Sequence, residues 1–169
     1  RVIGALAVTG LFGLAWAGAD VATRFQFVVM ALLVAALTSF MLGALPMWDG
    51  AMLRANLAGP PAQLPFWVVF AVFFPAVTGF TQGVSMSGDL RDPARSIPRG
   101  TFAAVGLSMV VYFAAALLFG GAAANADLAQ DGFAMRRLSQ WPLAFDAGVI
   151  AATLSSALAS FLGAPRILQ

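Results

Sequence analysis

Charge is placed along this chain so as to leave five long stretches free of it: residues 2–19, 25–48, 55–88, 100–126 and 147–165 contain neither Asp nor Arg. Crossing a bilayer takes about 20 mainly apolar residues, and each stretch has that length or nearly so. Hydrophobic residues make up 61% of the chain and charged residues 9%, against roughly 45–50% and about 25% in soluble proteins. Hydrocarbon offers backbone amides no partner, so spanning segments are driven to helices that satisfy themselves internally. The pattern predicts an all-α integral membrane protein with five spans, at about 2–19, 25–46, 64–86, 101–120 and 144–164, all within one transmembrane transport domain covering 1–169.

The residue types present narrow the chemistry. All basic residues are Arg and all acidic ones Asp, and Lys, Glu, His and Cys do not occur. Imidazole acid–base catalysis, thiol chemistry, disulfides and His/Cys metal sites are therefore excluded within these residues. The formal net charge is only +2, and no basic patch resembles a nucleic-acid footprint. Arg1 leads straight into the first apolar stretch, with no initiator Met and no leader pattern. The expectation is an internal piece of a longer membrane protein.

In chain order, the first stretch carries Gly4, Gly10, Gly13 and Gly18 among small residues, which suits close helix packing. A polar turn at 20–24 is expected to return the chain antiparallel. The second stretch reads as a scaffold helix, its Thr38 and Ser39 able to bond their own helix carbonyls. Between Pro46 and Pro65 lie Trp48, Asp49, Gly50, Arg54, Asn56, Gly59, Pro60 and Pro61, an aqueous connection with a short interfacial helix. Trp48 and Trp67 flank it as interfacial anchors. The loop 87–99 alternates Arg91, Arg95 and Arg99 with Asp89 and Asp92, and Gly100-Thr101 marks the next helix start. The polar segment 121–141 lies on the opposite face. The fifth span starts near Pro142, with Asp146 in its first turn, where the helix dipole favours an anion. Alternating faces group Arg24, Arg91, Arg95, Arg99 and Arg166 on one side, and Arg1, Arg54, Arg136 and Arg137 on the other. The positive-inside rule makes the first side, with the loop 87–99, cytoplasmic.

Two places could carry chemistry. The third stretch is interrupted by Pro75, Thr78, Gly79 and Gly83; proline alone would only kink the helix, but the cluster that follows points to unwinding. In a helix broken at mid-membrane the first half ends in unpaired carbonyls, which suit a cation, and the second begins with unpaired amides at Gly79, Phe80 and Thr81, which suit an anion. Thr78 adds a hydroxyl at the junction. The fifth span contains Ala151-Ala152-Thr153-Leu154-Ser155-Ser156-Ala157-Leu158-Ala159-Ser160. Positions 152, 155 and 156 share one helical face, so the Ala152 carbonyl and the Ser155 and Ser156 hydroxyls form a neutral, oxygen-only set suited to an alkali cation such as sodium. The plainer reading of the same residues is a small-residue packing face.

At these positions the sequence resembles the cation-chloride cotransporter family, within the amino acid, polyamine and organocation transporter superfamily. The resemblance is carried by Phe73-Phe74-Pro75-Ala76-Val77-Thr78-Gly79, by Ser87-Gly88-Asp89-Leu90-Arg91-Asp92-Pro93 with Ser96-Ile97-Pro98-Arg99-Gly100-Thr101, and by residues 151–160 with Gly163-Ala164-Pro165-Arg166. It implies that the chain matches spans four to eight of a twelve-helix inverted-repeat carrier of the sodium-coupled transporter type, its third span here being broken. It further implies potassium at the Pro75 carbonyl and Thr78, chloride at Gly79, Phe80 and Thr81, and sodium at Ala152, Ser155 and Ser156. The serine pair matches the sodium-dependent branch, whereas the Gly-Ala-Pro-Arg ending is similar to the potassium-chloride branch.

The function this implies is secondary active symport of chloride with sodium and/or potassium by alternating access. No catalytic residue, cofactor or metal beyond the alkali cations is expected. The expected partners are the inorganic ions, the lipid bilayer, the remaining helices of the carrier and a second copy in a homodimer, with no nucleic acid. The expected location is the plasma (inner) membrane. An amino acid permease of the same superfamily is the alternative. Many such permeases place an acidic residue soon after the Gly-Phe of the break, where this chain has Thr81 and Gln82. A noncatalytic membrane scaffold is the third reading.

Overall fold

The computed structural model describes residues 2–16, 18–59, 65–77, 88 and 90–167. These form helices α1 (Val2–Trp16), α2 (Ala19–Ala44), α3 (Gly50–Ala58), α4 (Phe66–Phe73), α5 (Pro93–Ala122), α6 (Asn125–Gln130), α7 (Ala134–Leu138) and α8 (Pro142–Ile167), with 3-10 turns at Leu45–Met47 and Phe74–Val77. Three stretches among the described residues are long and apolar enough to cross a membrane: Arg24–Met47, Pro93–Ala122 and Pro142–Phe161. Gly4–Trp16 is a shorter apolar helix.

Gly18 directly precedes α2. Gly18 has φ 104°, a left-handed conformation that costs glycine nothing and a side-chain-bearing residue a Cβ clash. The expected polar turn at 20–24 is instead helical, since residues 20–24 lie in the first two turns of α2.

α2 and α8 run antiparallel and make the most extensive helix pair, with α1 and α7 also against α8. They approach closely at Gly148, where an added Cβ would overlap the Ala36 methyl and lie 3.1 Å from the Leu32 carbonyl oxygen. On one side of this seam Leu11 of α1 and Leu158 of α8 are buried among Leu14, Ala15, Phe25, Leu154, Ala157 and Phe161. Toward its other end Phe40, Ala44 and Leu138 form a second core with Phe119 of α5, whose ring centroid is 4.8 Å from that of Phe40.

Ser39 is fully buried, and its role differs from the expected bond to its own helix. Its Oγ accepts from the Trp141 amide at 2.8 Å and donates to the Trp141 carbonyl at 3.2 Å, while its carbonyl accepts from Gln140 N–H at 2.9 Å. A buried hydroxyl beside a segment with free backbone groups satisfies both by pairing them. Ser39 thus fixes where α8 begins. Asp146 likewise falls just beyond the first turn of α8 and pairs with Arg136 Nε at 2.9 Å.

The connection 46–65 contains the expected short helix, α3, capped by the Asp49 carboxylate on Ala51 N–H at 2.8 Å. It lies against α5. Trp48 is tied to α5: its indole N–H donates to the Leu117 carbonyl at 3.0 Å, and its ring occupies the space over Gly121 where a Cβ would sit. Asn56 is a hub, donating to the carbonyls of Gly120 (2.7 Å) and Ala123 (2.8 Å) and accepting from Asn125 N–H (3.0 Å).

α5 begins at Pro93 rather than at Gly100-Thr101. Proline at the first helical position has its φ preset and lacks an amide that would have no helical partner there, and Ser96 N–H closes the first turn on the Asp92 carbonyl at 2.9 Å. The second half of the expected loop 87–99 is therefore helical, and residues 101–120 lie within α5. The polar segment 121–141 contains the short helices α6 and α7, braced by Arg137 Nε to Asp131 at 3.1 Å.

Candidate functional site

The α-helical hydrogen bonding of α4 stops where proline dictates. α4 keeps α-helical bonding as far as Phe74 N–H to the Phe70 carbonyl. Pro75 has no N–H to continue the ladder, and its ring crowds the carbonyl four residues back. The backbone tightens into the 3-10 turn Phe74–Val77. All side chains from Phe66 to Pro75 are exposed. Phe66, Trp67, Phe70 and Phe74 make successive ring contacts with centroid separations of 5.3 to 6.0 Å, edge-on where Trp67 meets Phe66 and Phe70, and Phe73 meets Tyr112 of α5 edge-on at 5.7 Å. Of the residues implied for potassium and chloride, Pro75 is in this turn. Thr78, Gly79, Phe80 and Thr81 lie outside the described residues, as does the expected unwinding beyond Val77.

The second candidate lies near the middle of α8. Ala152, Ser155 and Ser156 are in one continuous helix, so their i, i+3, i+4 spacing places them on a common face. Ala152 and Ser155 are half-buried and Ser156 is exposed. Neighbouring hydroxyls are bonded to their own helix: Thr153 Oγ1 donates to the Val149 carbonyl at 2.8 Å and Ser160 Oγ to that of Ser156 at 3.1 Å. Ser155 differs. Its Oγ donates across the seam to Gln26 Oε1 of α2 at 2.5 Å.

Gln26 was not singled out by the sequence pattern, although a signal was present: it is the one carboxamide in the stretch 25–48. Its partner lies 129 positions away, a pairing that no local rule contains. Asn56 is a second polar residue whose part emerges only in three dimensions. Among the described residues no group of three or more His, Cys, Asp or Glu could hold a metal ion. The groups on offer at α8 are neutral oxygens, which can replace part of an alkali cation's hydration shell.

Among the described residues, three helices long and apolar enough to cross a bilayer, a short apolar helix that ends at a proline turn, and a hydroxyl-bearing face on α8 describe an all-α integral membrane protein. A family model described as amino acid permease matches residues 1–169, and the chain belongs to that family. Mouse solute carrier family 12 member 8 is 34% identical over 181 aligned positions, which cover 100% of this chain and 25% of that protein. Solute carrier family 12 member 2 of Squalus acanthias is 30% identical over 219 positions, 100% of this chain and 18% of that protein. Member 9 of Danio rerio is 40% identical over 107 positions, 63% of this chain and 12% of that protein. The chain spans a quarter or less of the length of these curated relatives. The resemblance to the cation-chloride cotransporter family is borne out at the level of the family, since these relatives are all members of solute carrier family 12.

Proposed function

We propose that this chain is part of a secondary active carrier that moves chloride with sodium and/or potassium by alternating access. The observation that carries this reading is the α8 face, where the Ala152 backbone and the Ser155 and Ser156 side chains present neutral oxygens in the middle of a helix long and apolar enough to span a bilayer. An uncharged oxygen set binds an alkali cation without placing a permanent charge in hydrocarbon, where an unpaired charge is costly.

The second part of the reading is the end of α4. Pro75 and Thr78 would hold potassium, and the amides of Gly79, Phe80 and Thr81 would receive chloride, following the way carriers use discontinuous helices. The full protein would be a twelve-helix inverted-repeat carrier of the plasma (inner) membrane, with the remaining ion ligands on helices outside this chain. Residues 87–99 would face the cytoplasm, and a homodimer is the expected assembly. Ions are moved and no bonds are broken, so it would not be an enzyme and would need no cofactor.

The test is radiolabelled chloride flux in proteoliposomes of the full-length protein, with sodium and potassium removed in turn. Ser155→Ala combined with Ser156→Ala should flatten the sodium dependence of chloride uptake. An unchanged sodium response in that double variant would remove the sodium assignment. One observation favours a second reading: the matching family model carries the description amino acid permease. Uptake of a labelled amino acid, indifferent to chloride, would establish that reading in place of ion symport.

A further inference from the structure

Ser155 does not follow the habit that several other hydroxyls among the described residues keep, and in this it is like Ser39, which donates to the Trp141 carbonyl. Thr9, Ser139, Thr153 and Ser160 each donate to the carbonyl four residues earlier, the usual way for a hydroxyl in an apolar helix to satisfy its proton. Ser155 instead donates to Gln26 Oε1 on the neighbouring helix α2. A hydroxyl has one proton and two lone pairs. A cation attracts the lone pairs and repels the proton, so a serine that ligates a cation must send its proton elsewhere. A neutral acceptor beside the site, unable to ionise and placing no charge near the ion, meets that requirement.

We propose that Gln26 is a positioning residue for the cation site of α8: it takes the proton of Ser155 and so turns the oxygen lone pairs of that hydroxyl toward the ion. The inference rests on the sodium reading of Ala152, Ser155 and Ser156. It explains why the one carboxamide of the stretch 25–48 lies opposite Ser155. Donation into an amide oxygen also polarises the hydroxyl and makes its oxygen a better ligand. Gln26 acts through Ser155 and need not touch the ion.

The experiment is sodium activation of chloride uptake by the full-length carrier in proteoliposomes, for the parent, Gln26→Met, Gln26→Glu, Ser155→Ala and the Gln26→Met/Ser155→Ala double variant. Met keeps the length and removes the acceptor, so Gln26→Met should raise the half-saturating sodium concentration roughly three- to tenfold, the scale of one hydrogen bond. The maximal rate at saturating sodium and the half-saturating chloride concentration should not change. Glu keeps an acceptor oxygen, so Gln26→Glu should retain sodium half-saturation at or below the parental value. In the Ser155→Ala background, removing the Gln26 acceptor should add nothing. Should Gln26→Met fail to reach the membrane, Gln26→Asn, one methylene too short to reach Ser155, carries the same expectation.

If Ser155→Ala weakens sodium activation while Gln26→Met and Gln26→Asn leave it unchanged, this inference fails and the sodium site stands. Additive effects in the double variant would overturn it too, since Gln26 would then act independently of Ser155. A matched loss of maximal rate and of both ion affinities would mean that Gln26 only joins two helices. An unchanged sodium response in Ser155→Ala would end both this inference and the sodium reading beneath it.

Discussion

The seam between α2 and α8 and the short helix α4 are both apolar, yet they are specified in different ways. The seam is fixed by fit: Gly148 leaves no room against Ala36 and Leu32, Phe40 and Leu158 are completely buried, and Ser39 ties the start of α8 to α2 through both polar groups of Trp141. α4 exposes its side chains on all faces and ends where Pro75 stops its hydrogen-bond ladder. One region is determined by its neighbours, the other by its own backbone. A carrier of the proposed kind needs both, a firm wall that holds a ligand set in register and a broken element that rearranges at low cost. Interfaces that are packed as tightly as this seam have few alternative arrangements.

The largest effect is expected from filling the seam. Gly148→Val would drive a branched side chain into Ala36 and the Leu32 carbonyl, and overpacking of this kind costs about 1–3 kcal/mol, occasionally more. The full-length protein should lose thermal stability, read as the unfolding midpoint in detergent. Gly148→Ala should cost less and be partly restored by Ala36→Gly, because the overlap is between those two methyl positions. Additive behaviour of that pair would show that α2 and α8 do not meet there. Ser39→Ala comes next: it leaves the Trp141 amide and carbonyl without their buried partner, at about 1–3 kcal/mol. A midpoint equal to that of the parent would mean that the start of α8 is held by something other than this pair of bonds.

The contrast also explains what could be read in advance. The apolar stretches are visible because hydrocarbon excludes charge from long segments, and that rule acts residue by residue. The stop at Pro75 is equally local, since a missing N–H affects its own turn. The face shared by Ala152, Ser155 and Ser156 follows from helical period alone. Helix ends were less legible: residues 20–24 and 93–99 look like polar turns, yet one glycine with positive φ and one proline at a first turn let helices begin there. Least legible were the polar links across the fold, Gln26 with Ser155, Ser39 with Trp141, and Asn56 with Gly120, Ala123 and Asn125. Each joins residues 64 or more positions apart, and sequence pattern carries no information on which distant partner a lone amide or hydroxyl will meet.

A smaller effect on stability, but a direct one on ions, is expected at the broken element. Thr78→Val replaces a hydroxyl by a methyl of nearly the same shape at the position proposed to complete the cation site after Pro75. Rubidium or potassium affinity of the full-length carrier should fall roughly three- to tenfold, the scale of one lost polar contact, with the unfolding midpoint almost unmoved. An unchanged affinity would remove Thr78 from the site. A large loss of stability would show that this region is packed like the seam, and the contrast between the two would collapse.

The smallest effect is expected where the seam meets water. Arg136 of α7 pairs with Asp146 of α8 through Nε at 2.9 and 3.0 Å, and the two side chains are 45% and 39% exposed. An ion pair so open to solvent contributes about 0–1 kcal/mol, because water screens the attraction and two long side chains lose freedom in making it. Arg136→Gln should therefore shift the unfolding midpoint only slightly, and the shift should shrink further as ionic strength rises. Packing between α2 and α8 would then be what fixes α8. A loss of several kcal/mol, persisting at high salt, would mean that the Arg136–Asp146 pair determines the position of α8. The close approach at Gly148 would then be a consequence of that pairing rather than its cause.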